Sequence, residues 1–327
     1  MPNDVFYGAD SELRVGIQAD KDTLPTAWRI LEFNRLAVNV ERQRVDRPRL
    51  GAARANKLDP LKPRLGIERF KLDLTIDGCL VSLPGWLRCL LGAPTTTGAS
   101  APYTHVWDSG AKTEIYAAIA VRVGTDKIHV FKGVSLASIG CQAAGENVQD
   151  FDIQMALQAI SRTREDSWPT GTTTAVPTPA PILKGALLID GVAADQMVNA
   201  AFSWDRNLMD DVYLTTGSGH RNVSYLRPGE QPTHSGSATI RAFGTTFDAL
   251  GDGASNDTTD ISAELRLYGL NSAQMIKLAH PQAQLAQPPL EIGQGVIERS
   301  LSWNGHQTSS APASRISVLN AVASYAT

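Results

Sequence analysis

The side chains best suited to chemistry in this 327-residue chain are its histidines and cysteines, and their spacing is unfavourable for catalysis. Zinc sites usually place ligand pairs close together along the chain, as in HxxxH or CxxC, and neither pattern occurs. The candidate residues are scattered: His105, His129, His220, His234, His280, His306, Cys79, Cys89 and Cys141. The spacing predicts no metal site and no cofactor. It favours reduced core cysteines, and His105 is expected to face solvent from a strand.

Two further segments resemble binding motifs only in part. The stretch 251–260, GDGASNDTTD, is rich in oxygen ligands but lacks the spacing and terminal Glu of an EF-hand, so a polar loop is favoured over a calcium site. The GxG at 293–295 lacks the third glycine of a nucleotide fingerprint. Neither GxSxG nor a P-loop is present, so the sequence predicts that the protein is not an enzyme.

The clearest charge bias is the basic segment Arg42–Arg64, in a chain whose net charge is −3. Against Asp46 and Asp59 it carries a larger set of bases: Arg42, Arg44, Arg47, Arg49, Arg54, Lys57, Lys62 and Arg64. Three interpretations stay open: nucleic-acid contact, a solvated loop, or docking onto carboxylates of a neighbouring subunit. Docking is favoured because long irregular loops are usually functional and no aromatic side chain interleaves these bases.

The elements that would position these residues are mostly strands, because apolar and polar residues alternate along much of the chain. Alternation is clearest at 38–40, 72–76, 119–123, 153–155 and 261–267. A helix is expected over Pro84–Leu91, capped by Ser82 and ended by Gly92. A second helix is expected over Ser272–Leu278.

The chain divides into two halves of similar pattern at the proline- and threonine-rich stretch 166–182. Each half shows a strand with an acid–base pair, a long inter-strand loop, a second strand, a short helix and a closing hairpin. The first-half segments 37–43, 43–69, 70–77, 82–91 and 134–157 correspond to 201–207, 207–234, 236–243, 244–251 and 297–319. The sequence therefore predicts a mainly β fold with two tandem β-sandwich or barrel domains, 1–165 and 183–327, joined by the linker 166–182.

Three stretches resemble a known family. LGAPTTTGASAPYTHVWDSG (91–110) is similar to the stretch after the first helix in tail tube (major tail) proteins of long, non-contractile-tailed, siphovirus-type bacteriophages. Residues 8–43 and the closing VIERSLSWNG…SRISVLNAVASY resemble that family's opening and final hairpin. The resemblance implies a structural virion protein of the phage tail, made in the host bacterial cytoplasm, with two tail-tube-like domains.

The resemblance also implies partners. Such subunits join their inner strands into rings, and the rings stack into a hollow tube through which double-stranded DNA passes without specific binding during genome ejection. Two domains in one chain imply a trimeric ring with pseudo-sixfold symmetry. The other implied partners are tail terminator, tape measure and distal tail proteins, and no membrane is among them.

Electrostatics then suggests how residues are distributed in such a tube. Lysine or arginine facing the DNA would add salt-dependent affinity, so we expect an acidic or neutral lumen, with the basic segment between rings. Alternating strand positions give the candidate lumen-facing residues Asp73, Thr75, Asp152 and Gln154. Two alternatives stay open, a related injection or secretion tube and a β-barrel binding module. The scatter of six tryptophans over both halves disfavours the binding module.

Overall fold

The computed structural model describes residues 11–45, 64–111, 114–122, 127–144, 151–174, 182, 184–194, 197–212, 223–241, 260–270, 273–286 and 298–325. Within these ranges the chain is mainly β, with one helix, which confirms the predicted fold class. All five alternating stretches lie in strands, apart from residue 123 at the end of one stretch, which is outside the described residues.

The elements are numbered in chain order. The first half contains β1 (Glu12–Ile17), β2 (Ala27–Ile30), β3 (Arg35–Val45), β4 (Arg64–Asp77), α1 (Ser82–Leu91), β5 (Thr95–Thr97), β6 (Tyr103–Asp108), β7 (Ala117–Arg122), β8 (Ile128–Ala144), β9 (Asp152–Ala159), β10 (Ser161–Glu165) and β11 (Thr172–Thr174). The second half contains β12 (Lys184–Ile189), β13 (Val192–Ala193), β14 (Met197–Asp205), β15 (Met209–Asp211), β16 (Tyr225–Arg227), β17 (Thr233–Ile240), β18 (Asp260–Tyr268), β19 (Met275–Ala286), β20 (Arg299–Gly305) and β21 (Arg315–Asn320).

One antiparallel sheet, which we call the tandem sheet, runs through both halves of the chain. Its strand order is β3-β4-β9-β8-β14-β17-β20-β19. The first four strands come from the first half and the last four from the second. The pairing of β8 with β14, from Ser138 opposite Asp205 to Ala144 opposite Asn199, therefore joins the halves.

A second layer is built on the N-terminal parts of the long strands β8 and β19. The N-terminal part of β8 pairs with β10 and β7, and β7 continues through β1 and β2 to β11. The N-terminal part of β19 pairs with β21 on one edge, and β18 pairs with the other edge of β19 from Met275 to Gln284. From there β18 leads to β12 and β13, and β21 leads to β6 and β5. Apolar side chains from both layers form one continuous core cluster.

Strand pairing in the second half repeats that of the first. Val38 in β3 pairs with Leu72 in β4, and Phe202 in β14 pairs with Gly236 in β17. Residues 202 and 236 lie 164 positions after residues 38 and 72, so both partners are displaced equally. The next strand of the sheet is β9 in the first half and β20 in the second, followed by β8 and β19 respectively.

An irregularity in the pairing also recurs. The register between β7 and β8 shifts between Ala117 and Ile119, and the register between β18 and β19 shifts between Ile261 and Ala263. Bulges of this kind bend a strand locally and re-aim its side chains. In both halves the shift lies where β8 or β19 passes from the second layer into the tandem sheet. The domain boundaries at 165 and 183 stay a prediction.

The helix α1 is buried because its apolar stripe faces the core. Leu83, Trp86, Leu87 and Leu90 are all fully buried in the central cluster. Gly92 ends the helix with a positive φ of 92°, as predicted, and its N–H donates to the carbonyl of Arg88. The prediction that Ser82 caps the helix was wrong, because Val81 holds the N-cap position and makes no side-chain capping bond. The predicted second-half helix, 244–251, lies outside the described residues.

The helix predicted over Ser272–Leu278 was wrong, because this region leads into strand β19, Met275–Ala286. The N-terminal part of β19 is flanked by β18 and β21, and its side chains are buried on both sides of the strand. Both Met275 and Ile276 are therefore buried, and the alternation expected of a half-exposed strand disappears. Without alternation, closely spaced apolar residues resemble a helical stripe.

The prediction that residues 297–319 form a closing hairpin was also wrong. The first hairpin, 134–157, is confirmed, since β8 pairs directly with β9. In contrast, β20 and β21 do not pair with each other. Both lie along one edge of β19, with β20 opposite its C-terminal part and β21 opposite its N-terminal part. In the second half, β19 pairs with β20 in the way that β8 pairs with β9 in the first half.

The long inter-strand loop predicted over residues 43–69 is shorter than expected. Strand β3 continues to Val45 and β4 already begins at Arg64, with Val45 and Arg64 directly opposite each other. In the corresponding region 207–234, the pair β15–β16 forms a small separate sheet.

The expected solvent-facing position of His105 was wrong. His105 is fully buried; its Nδ1 lies 2.9 Å from the hydroxyl of Thr96, and its Nε2 lies 2.8 Å from the carbonyl of Val322. Tyr325 packs edge-on against the imidazole ring. The C-terminal segment therefore covers this strand, which local sequence could not indicate.

Candidate functional site

The feature that could serve a function is the outward surface of the tandem sheet, which we call the polar face. On β4, Leu72, Leu74 and Ile76 point into the core, while Asp73 and Thr75 point outward. This separation follows from the two-residue period of a strand, which sends successive side chains to opposite sides of a sheet. The same alternation in the other strands produces one surface shared by both halves.

A row of paired residues crosses all eight strands of the polar face. Each member is directly opposite the next in the register of the sheet. The row reads Arg35, Thr75, Gln154, Gly140, Ser203, Ser235, Asn304 and Gln284. One member is charged, and the rest are small or neutral polar residues. Such a row offers hydrogen-bonding groups and little electrostatic attraction for a polyanion.

Acidic side chains lie beside this row. Asp73 and Asp205 occupy a neighbouring row, in which Ser138 lies directly opposite Asp205. At one end, the carboxylates of Asp77 and Asp152 are opposite each other, and the amide of Asn34 donates to both, at 3.2 Å to Asp152. The three second-half strands β14, β17 and β20 present the following described side chains on this face: Asn199, Ala201, Ser203, Asp205, Thr233, Ser235, Ser237, Thr239, Ser300, Ser302 and Asn304.

The polar face is concave. A depression of about 490 Å³ covers the strands around the β8–β14 joint, with Arg35, Asp73, Gln154 and Ser203 among its lining residues. A second depression of about 280 Å³ continues over the second half and is bordered by Ser237. The two depressions share Ala201, Phe202 and Ser203, so the concavity extends from β3 to β20 across the joint between the two halves.

The structure brings the four candidate lumen-facing residues together on this face. Asp73 and Thr75 lie on β4, and Asp152 and Gln154 lie on the neighbouring strand β9, with Thr75 directly opposite Gln154. That they line a lumen stays a prediction.

The basic segment is described only at its two ends. Arg42 lies on β3 and pairs with Glu68 at 2.8 Å. Arg44 and Arg64 belong to the paired strands β3 and β4 and not to a loop. The remaining predicted contact residues, Arg47, Arg49, Arg54, Lys57 and Lys62, lie outside the described residues. A role for the segment in subunit contact stays a prediction.

The joint between the halves contains a buried ion pair that the sequence did not reveal. The guanidinium of Arg206 contacts both carboxylate oxygens of Glu114, at 2.8 and 3.1 Å, and each side chain is 8% exposed. The guanidinium also donates to the carbonyl of Leu136 at 3.1 Å, and the backbone N–H of Arg206 donates to the carbonyl of Ala137 at 2.8 Å. Arg206 follows β14 immediately, so it anchors the end of this strand to β8.

Buried histidines form a second polar cluster in the second half. The hydroxyl of Ser314 lies 2.7 Å from Nδ1 of His234 and 3.0 Å from Nδ1 of His280. Burial lowers the pKa of His280, and burial together with neighbouring His280 lowers the pKa of His234 to about 4. A serine beside histidines can act as a nucleophile, but Ser314 is fully buried and out of reach of a substrate. The cluster therefore supports packing.

The three cysteines are buried, as predicted, and none of them is in a disulfide. Burial raises the pKa of the Cys89 thiol to about 11 and of the Cys141 thiol to about 12. Across the described ranges, the structure places no three His, Cys, Asp or Glu side chains so that they could hold a metal ion. None of the helices in the described part has the length and apolar character needed to cross a membrane.

Comparison with protein families matches residues 8–305 to the phage tail tube protein family. The match includes every strand of the tandem sheet. Comparison with individually curated proteins found no matching sequence.

Proposed function

This chain belongs to the phage tail tube protein family, and from that premise we propose that its copies assemble into stacked rings forming a hollow tube. The family implies a structural part of the virion tail, in keeping with a non-enzymatic role. In our proposal the tube belongs to a siphovirus-type tail, and the phage genome passes through it during ejection.

The observation that carries this proposal is the concave polar face. A conduit for double-stranded DNA needs a surface without a dense array of bases, because each cation contacting phosphate adds salt-dependent affinity. The central row of this face has one base, Arg35, and acidic side chains such as Asp73 and Asp205 lie beside it. These charges support the polar face as the lumen surface, with Thr75, Asp152 and Gln154 also directed at the DNA.

We further propose that the two halves are duplicated tail-tube domains and that three copies close a ring with pseudo-sixfold symmetry. The repeated strand order, the common displacement of 164 positions and the recurrent register shift support the duplication. In a ring of three copies, each tandem sheet would supply one third of the wall. Closed rings are favoured because they satisfy strand edges that would otherwise promote aggregation.

The other partners proposed for the tube are a tail terminator and a distal tail protein at its ends, and a tape measure protein inside it during assembly. We place the basic segment at contacts between subunits, with residues 44–64 at the junction between rings, where the arginines could pair with carboxylates of the next ring.

Electron microscopy of the purified protein at rising concentration tests the proposal. The expected result is tubes with a regular ring repeat and threefold or pseudo-sixfold end views. Monomers that persist at every concentration contradict it and favour a binding module. Single rings that do not stack would support ring closure and contradict tube formation under those conditions.

A further inference from the structure

Strands β3 and β14 hold corresponding places in the two halves, but their outer edges differ. β14 pairs with β17 on one edge and with β8 on the other. β3 pairs with β4 on one edge, and no described strand pairs with its other edge. Among the described strands, the tandem sheet therefore begins at β3 with an open edge, at the place where β14 is joined to β8.

The side chains of the two strands also differ in how far they are exposed. Phe202 and Trp204 on β14 are each 4% exposed. At the corresponding positions of β3, Val38 is 40% exposed and Val40 is only half-buried. A cleft of about 700 Å³ opens beside these two valines. The first-half strand thus presents apolar surface that its second-half counterpart covers.

Arg42 corresponds to Arg206, 164 positions further along the chain. The guanidinium of Arg206 is buried at the joint and donates to the carbonyl of Leu136. The Arg42 side chain is 52% exposed and pairs with Glu68 at the surface. An arginine on β3 is therefore available to anchor that edge to another strand.

The far end of the tandem sheet offers the matching strand. Leu136 of β8 pairs with Leu157 of β9, and Leu285 of β19 pairs with Trp303 of β20. The next paired residue is Ser138 on β8, after a bulge at Ala137, and Ala286 on β19, where no bulge intervenes. On one edge, β19 pairs with β18 only as far as Gln284. Among the described residues, Leu285 and Ala286 therefore have no partner strand on the edge that faces β18.

We propose that the open edge of β3 pairs with the C-terminal end of β19 from a second copy of this chain, in the register of the β8–β14 joint. Ser138 lies opposite Asp205 in that joint, so Ala286 of the second copy lies opposite Glu41. Arg42 then donates to the carbonyl of Leu285 in the second copy, as Arg206 does to Leu136. This inference rests on the proposed assembly and specifies the contact between subunits.

Disulfide trapping tests this register. The double variant Glu41→Cys/Ala286→Cys should give, on oxidation of assembled protein, a ladder of covalent oligomers that ends at the closed ring. Ser138→Cys/Asp205→Cys is the matched control, because the same pair of positions lies within one chain and should form a disulfide in the monomer. The native cysteines are buried and should not interfere.

A shifted pair and a second readout make the test decisive. Asn39→Cys/Ala286→Cys moves the contact by two residues on the same face and should crosslink several-fold less. Arg42→Ala should raise the concentration needed for assembly about tenfold or more, without changing the circular dichroism spectrum of the monomer. Tubes that form without crosslinks, or that crosslink better through the shifted pair, would overturn the proposed joint but not the proposed assembly into tubes. Protein that stays monomeric at every concentration overturns both.

Discussion

Arg206 and Glu114, which are 92 residues apart in sequence, form a bidentate ion pair that is almost fully buried. The pair connects the end of β14 to the segment before β7, so it ties the second half of the chain to the first. The Arg206 guanidinium also donates to the carbonyl of Leu136 on β8. The two halves are thus held together by polar contacts as well as by the β8–β14 ladder.

Removing one partner of this pair should destabilise the protein strongly. Arg206→Ala leaves the Glu114 carboxylate buried without its counter-charge, for which the expected loss in the free energy of unfolding is about 3–5 kcal/mol. Urea denaturation followed by tryptophan fluorescence measures this loss.

The matched control is the exposed pair of Arg315 and Asp108. It is also bidentate and also connects the two halves, with contacts of 2.6 and 2.9 Å, but its side chains are 40% and 42% exposed. Arg315→Ala should therefore cost only about 0–1 kcal/mol. Equal losses for the two variants would contradict the importance of burial at the Arg206 pair.

Acid should weaken the fold through His234. Burial lowers its pKa to about 4 in the native protein, whereas an unfolded histidine titrates near its ordinary value of 6.5. Between these values the unfolded chain binds a proton that the native site rejects, so the free energy of unfolding falls as pH decreases from 6.5 to about 4. Denaturation across this pH range should show a shallower fall for His234→Gln than for wild type. An equally steep fall in the variant would assign the acid sensitivity to other groups.

Buried thiols should be unreactive in the native protein. Burial raises the pKa of Cys89 to about 11 and that of Cys141 to about 12, so at pH 8 almost no thiolate is present to attack a disulfide reagent. Ellman's reagent should label these cysteines slowly in buffer and completely in denaturant. Fast labelling of native protein would show that the core opens readily around α1 or β8.

Much of the fold could be predicted because most strands are half-exposed. On β4 and β9 the period of two is clean, so the sequence alone predicts that Asp73 and Thr75 share one side of β4 and that Asp152 and Gln154 share one side of β9. The same period failed for β19, where the successive residues Met275 and Ile276 are both buried. Alternation reports one-sided burial, so a strand covered on both sides loses the signal.

Contacts between distant segments were the other part that sequence could not supply. Neither residue of the Arg206–Glu114 pair has a local feature that identifies the other. Similarly, the burial of His105 depends on Val322 and Tyr325, more than 200 residues away. Strand pairing across the chain is set by the whole fold, because each ladder must also bury the apolar side of its neighbours.

Adding bases to the polar face should convert a non-binding conduit into one that holds DNA. Gln154→Lys and Asn304→Lys change exposed members of the central row, one in each half. Assembled tubes of the double variant should retain duplex DNA at low salt, protect it from nuclease and release it as salt rises. Ser310→Lys is the control at an exposed position outside the strands of this face, in the segment between β20 and β21. Equal nuclease protection by the control, or none in the double variant, would contradict a lumen lined by the polar face.

Reversing charge in the basic segment should block polymerisation and leave folding intact. Arg44→Glu, Arg47→Glu and Arg49→Glu together replace bases that we place against carboxylates of a neighbouring subunit, so attraction becomes repulsion. The control reverses three exposed bases elsewhere: Lys127, Arg164 and Arg241. The segment variant should keep the circular dichroism spectrum of wild type and form no tubes by negative-stain microscopy, while the control still assembles. Normal tubes from the segment variant would remove these arginines from the subunit contact.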